Sequence, residues 1–139
     1  MNTYENISKE LKLYFSTNSF FRLILHFDMF VVYGCAGVLI VNMFVSLGSL
    51  LGSIAYYGFI IGLLLSFAND NKKVMYSSLF AYAGAELFLV LKYIILPSYR
   101  FVSFSSLMAV LVFGGIGYLV FKKDSLTNIT SNDKNLPIE

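Results

Sequence analysis

The stretch MFVVYGCAGVLIVNMFVSLGSLLGSIAYYGFIIGLLLSFAN, residues 29–69, decides the architecture, because its 41 residues include no Asp, Glu, Lys or Arg. As one continuous helix it would measure about 60 Å, twice the hydrocarbon thickness of a bilayer, so a single span cannot use all of it. Asn42, followed by Ser46, Gly48 and Ser49, supplies a polar break near its middle. The stretch is therefore expected to fold as an antiparallel hairpin of two membrane-crossing helices, at 23–45 and 50–68. Transmembrane strands would alternate apolar and polar residues over about 10 positions. The run Phe59-Ile60-Ile61-Gly62-Leu63-Leu64-Leu65 has no such alternation.

Beyond the hairpin, Asp70, Asn71, Lys72 and Lys73 form a polar loop. A third span is expected at 74–96, ended by Pro97, which cannot continue a helical hydrogen-bond ladder. A fourth is expected at 101–121, closed by Lys122, Lys123 and Asp124. The composition agrees, with 58% hydrophobic and 13% charged residues against roughly 25% charged in soluble domains. A lone soluble globule is excluded, and four spans leave no room for a separate catalytic domain. The expected fold is an all-α integral membrane protein with four transmembrane helices. Its parts are an amphipathic cytoplasmic or interfacial segment at 1–20, a bundle at 21–123 and a polar flexible tail at 124–139.

Positive charge sets the expected orientation. Lys9, Lys12, Arg22, Lys72, Lys73, Lys122, Lys123 and Lys134 fall on one side of this topology, against Lys92 and Arg100 on or near the other. Both termini are then cytoplasmic. With no short apolar stretch and small-residue cleavage site near the start, the first span is expected to insert as an uncleaved anchor, by default in a bacterial cytoplasmic membrane. The sequons at Asn6 and Asn128 would face the cytoplasm and stay unmodified. In the N-terminal segment Tyr4, Ile7, Leu11, Tyr14 and Phe15 recur at steps mostly of three or four, as in an amphipathic helix lying on the membrane or on a partner.

The net charge of +2 and its scattered basic residues give no nucleic-acid signature. Cys35, the single cysteine, can form no intrachain disulfide. No phosphate-binding glycine loop, HExxH or CxxC is present, so neither enzymatic chemistry nor a cofactor is expected. One histidine without a second soft ligand nearby makes a metal site improbable. Tyr56, Tyr57, Tyr76, Tyr93, Tyr99 and Tyr118 fall near span ends or toward them, where they suit an interfacial aromatic belt.

Two features point toward function. In the second span Gly48, Gly52, Ala55, Gly58, Gly62 and Ser66 form one stripe of small residues at helical spacing, the pattern that lets another backbone approach closely, either a helix of the same bundle or one of a second subunit. Glu86, about 20 Å of helix from Lys73 and about 16 Å from Pro97, sits near the bilayer centre, where a charge costs a few kcal/mol and normally faces protein or water. Tyr82, one turn earlier, can donate to it from the same face. Asp28 and His26 are further ion, proton or substrate candidates, shallower than Glu86 and suited to interfacial hydrogen bonding. Lys92 and Arg100 could together meet an anionic headgroup or a partner's carboxylate.

The function expected from these features is that of a small non-enzymatic subunit. It would dock by its glycine-rich face into a membrane assembly concerned with transport, in contact with the lipid bilayer and with other membrane subunits or copies of itself. The alternative is a self-contained homo-oligomeric transporter or channel, coupled to protons or cations through Glu86.

Overall fold

The computed structural model describes residues 3–96 and 103–133, with side chains described as far as residue 127. Six helices follow in order: α1 (Thr3–Thr17), α2 (Ser19–Leu25), α3 (Asp28–Val45), α4 (Ser49–Ala68), α5 (Lys72–Ile95) and α6 (Phe104–Asp133). The described residues contain no strand. Four stretches are long and apolar enough to cross a membrane: Asp28–Val45, Ser49–Ala68, Lys72–Ile95 and Phe104–Thr127. A multi-pass membrane protein is the architecture they suggest.

The hairpin turn falls at the polar break. After Val45 the chain enters the left-handed region at Ser46 (φ 55°), whose N–H bonds the Asn42 carbonyl at 3.0 Å. Gly48 then takes φ 105°, a conformation in which a side chain is strained, and α4 begins at the next residue. The first span departs from its expected range at the other end. It starts at Asp28, because the helix breaks at His26 and Phe27 and residues 23–25 belong to α2. At the break the Phe27 N–H turns to the Ile24 carbonyl (2.9 Å), and the Leu25 carbonyl accepts the Asn69 side-chain amide (2.7 Å). The freed backbone group thus finds a partner in the α4–α5 loop.

At the C-terminal end α6 continues well past Lys123. Ser125 Oγ and Thr127 Oγ1 bond the carbonyls of Phe121 and Lys123, one turn back, at 2.8 and 2.9 Å. These polar residues thereby ride on the helix instead of leaving it. The segment expected as a flexible tail thus begins in helix, and its residues 134–139 lie outside the described residues.

The spans associate as two antiparallel pairs, α3 with α4 and α5 with α6, joined chiefly through α3 and α5. The core between them holds Val32, Ala36 and Leu39 of α3, Ala55 and Phe59 of α4, and Val74, Leu79 and Tyr82 of α5. The small-residue stripe explains the closeness of the first pair. A Cβ on Gly58 would stand 2.6 Å from Cys35 Sγ; one on Gly62 would stand 2.7 Å from Val32 Cγ2 and 3.1 Å from its backbone nitrogen. Glycine is required there by contact with a helix of the same chain.

Below the spans, α1 rests on the C-terminal end of α4. Its packed face is Tyr4, Ser8, Leu11 and Phe15, whereas Ile7 and Tyr14 of the expected apolar stripe are exposed. Ser8 makes the difference: its hydroxyl donates to the Phe67 carbonyl at 2.9 Å, one of the last carbonyls of α4, which lack helical partners. The Tyr4 ring packs edge-on against Phe67, and Lys123 Nζ of α6 lies 3.6 Å from its centroid. Burial, with the Asp70 carboxylate adding to it, pushes the Tyr4 phenol up to about 12, so it stays protonated at neutral pH.

Two substitutions separate close-contact glycines from open ones. Gly62→Leu should destabilise the bundle by about 1–3 kcal/mol through overpacking. Gly115→Ala, whose Cβ would meet nothing within 4 Å, should be neutral or stabilising by up to about 1 kcal/mol. Denaturant unfolding in micelles, followed by circular dichroism, checks both.

Candidate functional site

Two buried carboxylates lie in the bundle, at different levels and in different surroundings. Asp28 opens α3, where the partial positive charge of the helix N-terminus favours a carboxylate. It is 6% exposed, and its Oδ2 accepts from Ser66 Oγ at 3.0 Å and from Asn71 Nδ2 at 3.4 Å. Ser66, fully buried, is the last member of the small-residue stripe. It acts there as a donor, while Gly48, the first member, serves the turn. Asp28 borders a polar cavity of about 520 Å³ together with Lys12, His26, Asn69, Asp70 and Asn71, at the end of the bundle that carries Lys72, Lys73, Lys122 and Lys123. His26 is exposed at the α2–α3 break.

Glu86 belongs to the opposite half. It is 8% exposed, and its Oε1 accepts the Tyr82 hydroxyl at 3.1 Å, the contact that their one-turn spacing allows. Its Oε2 is buried and meets no hydrogen-bond donor among the described residues. An unsatisfied buried acceptor costs about 1–3 kcal/mol, and more when charged. Two clefts meet at this side chain. One, of about 390 Å³, runs between Glu86 and the α3–α4 turn and includes Asn42, Ser49, Ser53, Tyr56 and Tyr57 in its lining. The other, of about 450 Å³, lies toward α6 and is lined by Ser105, Met108, Ala109, Val112 and Phe113. Tyr56, Tyr82 and Glu86 line both. The rings of Phe59, Tyr82 and Phe113 pack against one another, Tyr82 and Phe113 edge-on at 5.1 Å and 88°.

The structure thus gathers Glu86 and Tyr82 into one site and Asp28 and His26 into another. Two further residues join the first site. Asn42, expected at the polar break, is helical, with a buried Oδ1 that has no partner among the described residues. Its signal was a polar side chain inside an apolar span. Tyr56, assigned to an aromatic belt, lines the Glu86 clefts. Lys92 is exposed in the last turn of α5, and Arg100 lies outside the described residues.

The chain matches no protein-family model, no curated protein and no solved structure.

The satisfied site predicts a structural phenotype. Asp28→Ala leaves the Ser66 hydroxyl and the Asn71 amide without their acceptor, and should cost about 1–3 kcal/mol. Adding Ser66→Ala should recover part of the loss, as read from unfolding midpoints of the single and double variants.

Proposed function

We propose that this chain is a membrane-embedded transporter or channel component that takes up a proton or a monovalent cation at Glu86. The observation that carries the reading is the Glu86 carboxyl, nine-tenths buried on a residue that lines two clefts, with one oxygen held by Tyr82 and the other buried without a donor among the described residues. An ionisable side chain at such depth is costly unless it has a task or a partner, and Asp28, fully hydrogen-bonded at Oδ2, illustrates the structural alternative within the same chain. In the proposed orientation the lysine-rich end is cytoplasmic, by the excess of Lys and Arg there. The Glu86 clefts then lead toward the outer face.

The subunit reading rested on the glycine stripe as a docking face. Gly52, Gly58 and Gly62 meet side chains of α3, so that face is occupied within the chain. Association with other chains draws its support instead from Gly34, Gly37, Gly84 and Gly115, where a Cβ would meet nothing within 4 Å and another helix has room to approach. Assembly and transport are compatible, since four helices alone enclose little space.

In proteoliposomes, Glu86→Gln should reduce proton or cation flux to the level of empty vesicles while leaving the thermal midpoint within a few degrees of the parent. Flux that persists in Glu86→Gln would assign the carboxyl a packing role. Native mass spectrometry of the complex from its own membrane separates a homo-oligomer from a subunit bound to other polypeptides at a fixed ratio.

A further inference from the structure

Glu86 stands where two clefts of different chemistry meet, and their contrast bears on the class of cation. On the α3–α4 side the cleft is lined by Asn42, whose Oδ1, like Glu86 Oε2, is a buried acceptor without a donor among the described residues. Two buried acceptors in one cleft call for a ligand that brings N–H or O–H donors. On the α6 side the same carboxyl borders Met108, Ala109, Val112 and Phe113, a surface suited to hydrocarbon.

Metal cations fit poorly. Calcium takes six to eight oxygen ligands and magnesium near-ideal octahedral geometry, whereas Glu86 is the single carboxylate lining either cleft. No three His, Cys, Asp or Glu side chains converge anywhere among the described residues. Half of the second cleft's lining is apolar side chain, which leaves an alkali ion short of an oxygen cage on that side and suits a hydrocarbon body instead. A single carboxylate matches a single positive charge.

Resting on the reading of Glu86 as a cation site, we propose that the ligand is a singly charged primary ammonium with an apolar body. On binding, the Glu86 and Asn42 side chains turn toward the cleft, so that the ammonium N–H groups reach Glu86 Oε2 and Asn42 Oδ1 while its body lies in the cleft against α6. A quaternary ammonium carries the same charge but has no N–H to give, so it leaves both acceptors unsatisfied and binds more weakly. A small ammonium without a body makes the polar contacts and forfeits the burial of apolar surface.

Calorimetric titration of the full chain in nanodiscs, at fixed ionic strength, tests this with 2-phenylethylammonium, its N,N,N-trimethyl analogue, methylammonium and sodium. We expect 2-phenylethylammonium to bind at least about tenfold more tightly than each of the others, the scale of one charge-assisted hydrogen bond or of a buried ring. Glu86→Gln and Asn42→Leu should each weaken it by about tenfold or more. Ala109→Phe, which fills the second cleft, should weaken 2-phenylethylammonium and leave methylammonium unchanged; Val112→Leu gives the same direction with a smaller change should Ala109→Phe not fold. Equal or tighter binding of the trimethyl analogue or of sodium overturns the proposal. So does absence of amine binding in a protein whose Glu86-dependent proton flux persists, a result that leaves the cation-site reading standing. Absence of both overturns the two together.

Discussion

The close approach of α3 to α4 is the contact on which the arrangement depends. With glycine at positions 52, 58 and 62, the two helices meet at side-chain-to-backbone distance, and Val32, Cys35 and Asn42 of α3 press directly onto α4. That contact determines which residues of α4 look elsewhere. Ala55 and Phe59 turn into the core, where Phe59 packs on Tyr82, and Tyr56 comes to line the clefts around Glu86. A bulkier residue at Gly62, where a Cβ would stand 3.1 Å from the Val32 backbone nitrogen, would separate the helices and change what Glu86 faces. The stripe therefore shapes the site although none of its glycines contributes a polar side chain.

In a hydrocarbon surrounding, each buried polar group needs a partner inside the protein or a water-filled cavity. The two halves of the bundle meet this demand differently. At the lysine-rich end the α2–α3 break, the α4–α5 loop and α1 form one network: Asn69 holds the Leu25 carbonyl, Ser66 and Asn71 hold Asp28, and Ser8 holds the end of α4. Every one of these bonds joins elements distant in sequence, which suits a fixed platform. In the other half, the Glu86 carboxyl has a single donor and Asn42 Oδ1 has none among the described residues. Asp28 Oδ2 accepts two donors, whereas Glu86 Oε2 is buried without one, and that contrast within one small chain is the reason for assigning function to Glu86.

Much of this was legible from residue order alone. Absence of charge over residues 29–69 announced the hairpin, and Ser46 and Gly48 located its turn, because those steps depend on length and local backbone chemistry. The Tyr82–Glu86 bond follows from one turn of helix. The break before Asp28 was not legible, since apolar residues run through positions 23–32 with little interruption and the break is stabilised by Asn69, 44 positions away. The inward face of α1 was missed because a serine marks it. Asn42 and Tyr56 could not be assigned to the site, because the direction they face depends on how tightly α3 and α4 pack. The helical start of the C-terminal segment was obscured by a composition rich in Ser, Asn and Thr.

In the proposed function Glu86 communicates with water from the end of the bundle opposite the lysine-rich one. The most direct test is thiol accessibility: Glu86→Cys in a Cys35→Ser background, in oriented proteoliposomes, treated with a membrane-impermeant thiol reagent on either side. Modification is expected from the side opposite the lysine-rich end and none from the other. Protection from both sides, or modification from the lysine-rich side, would contradict it.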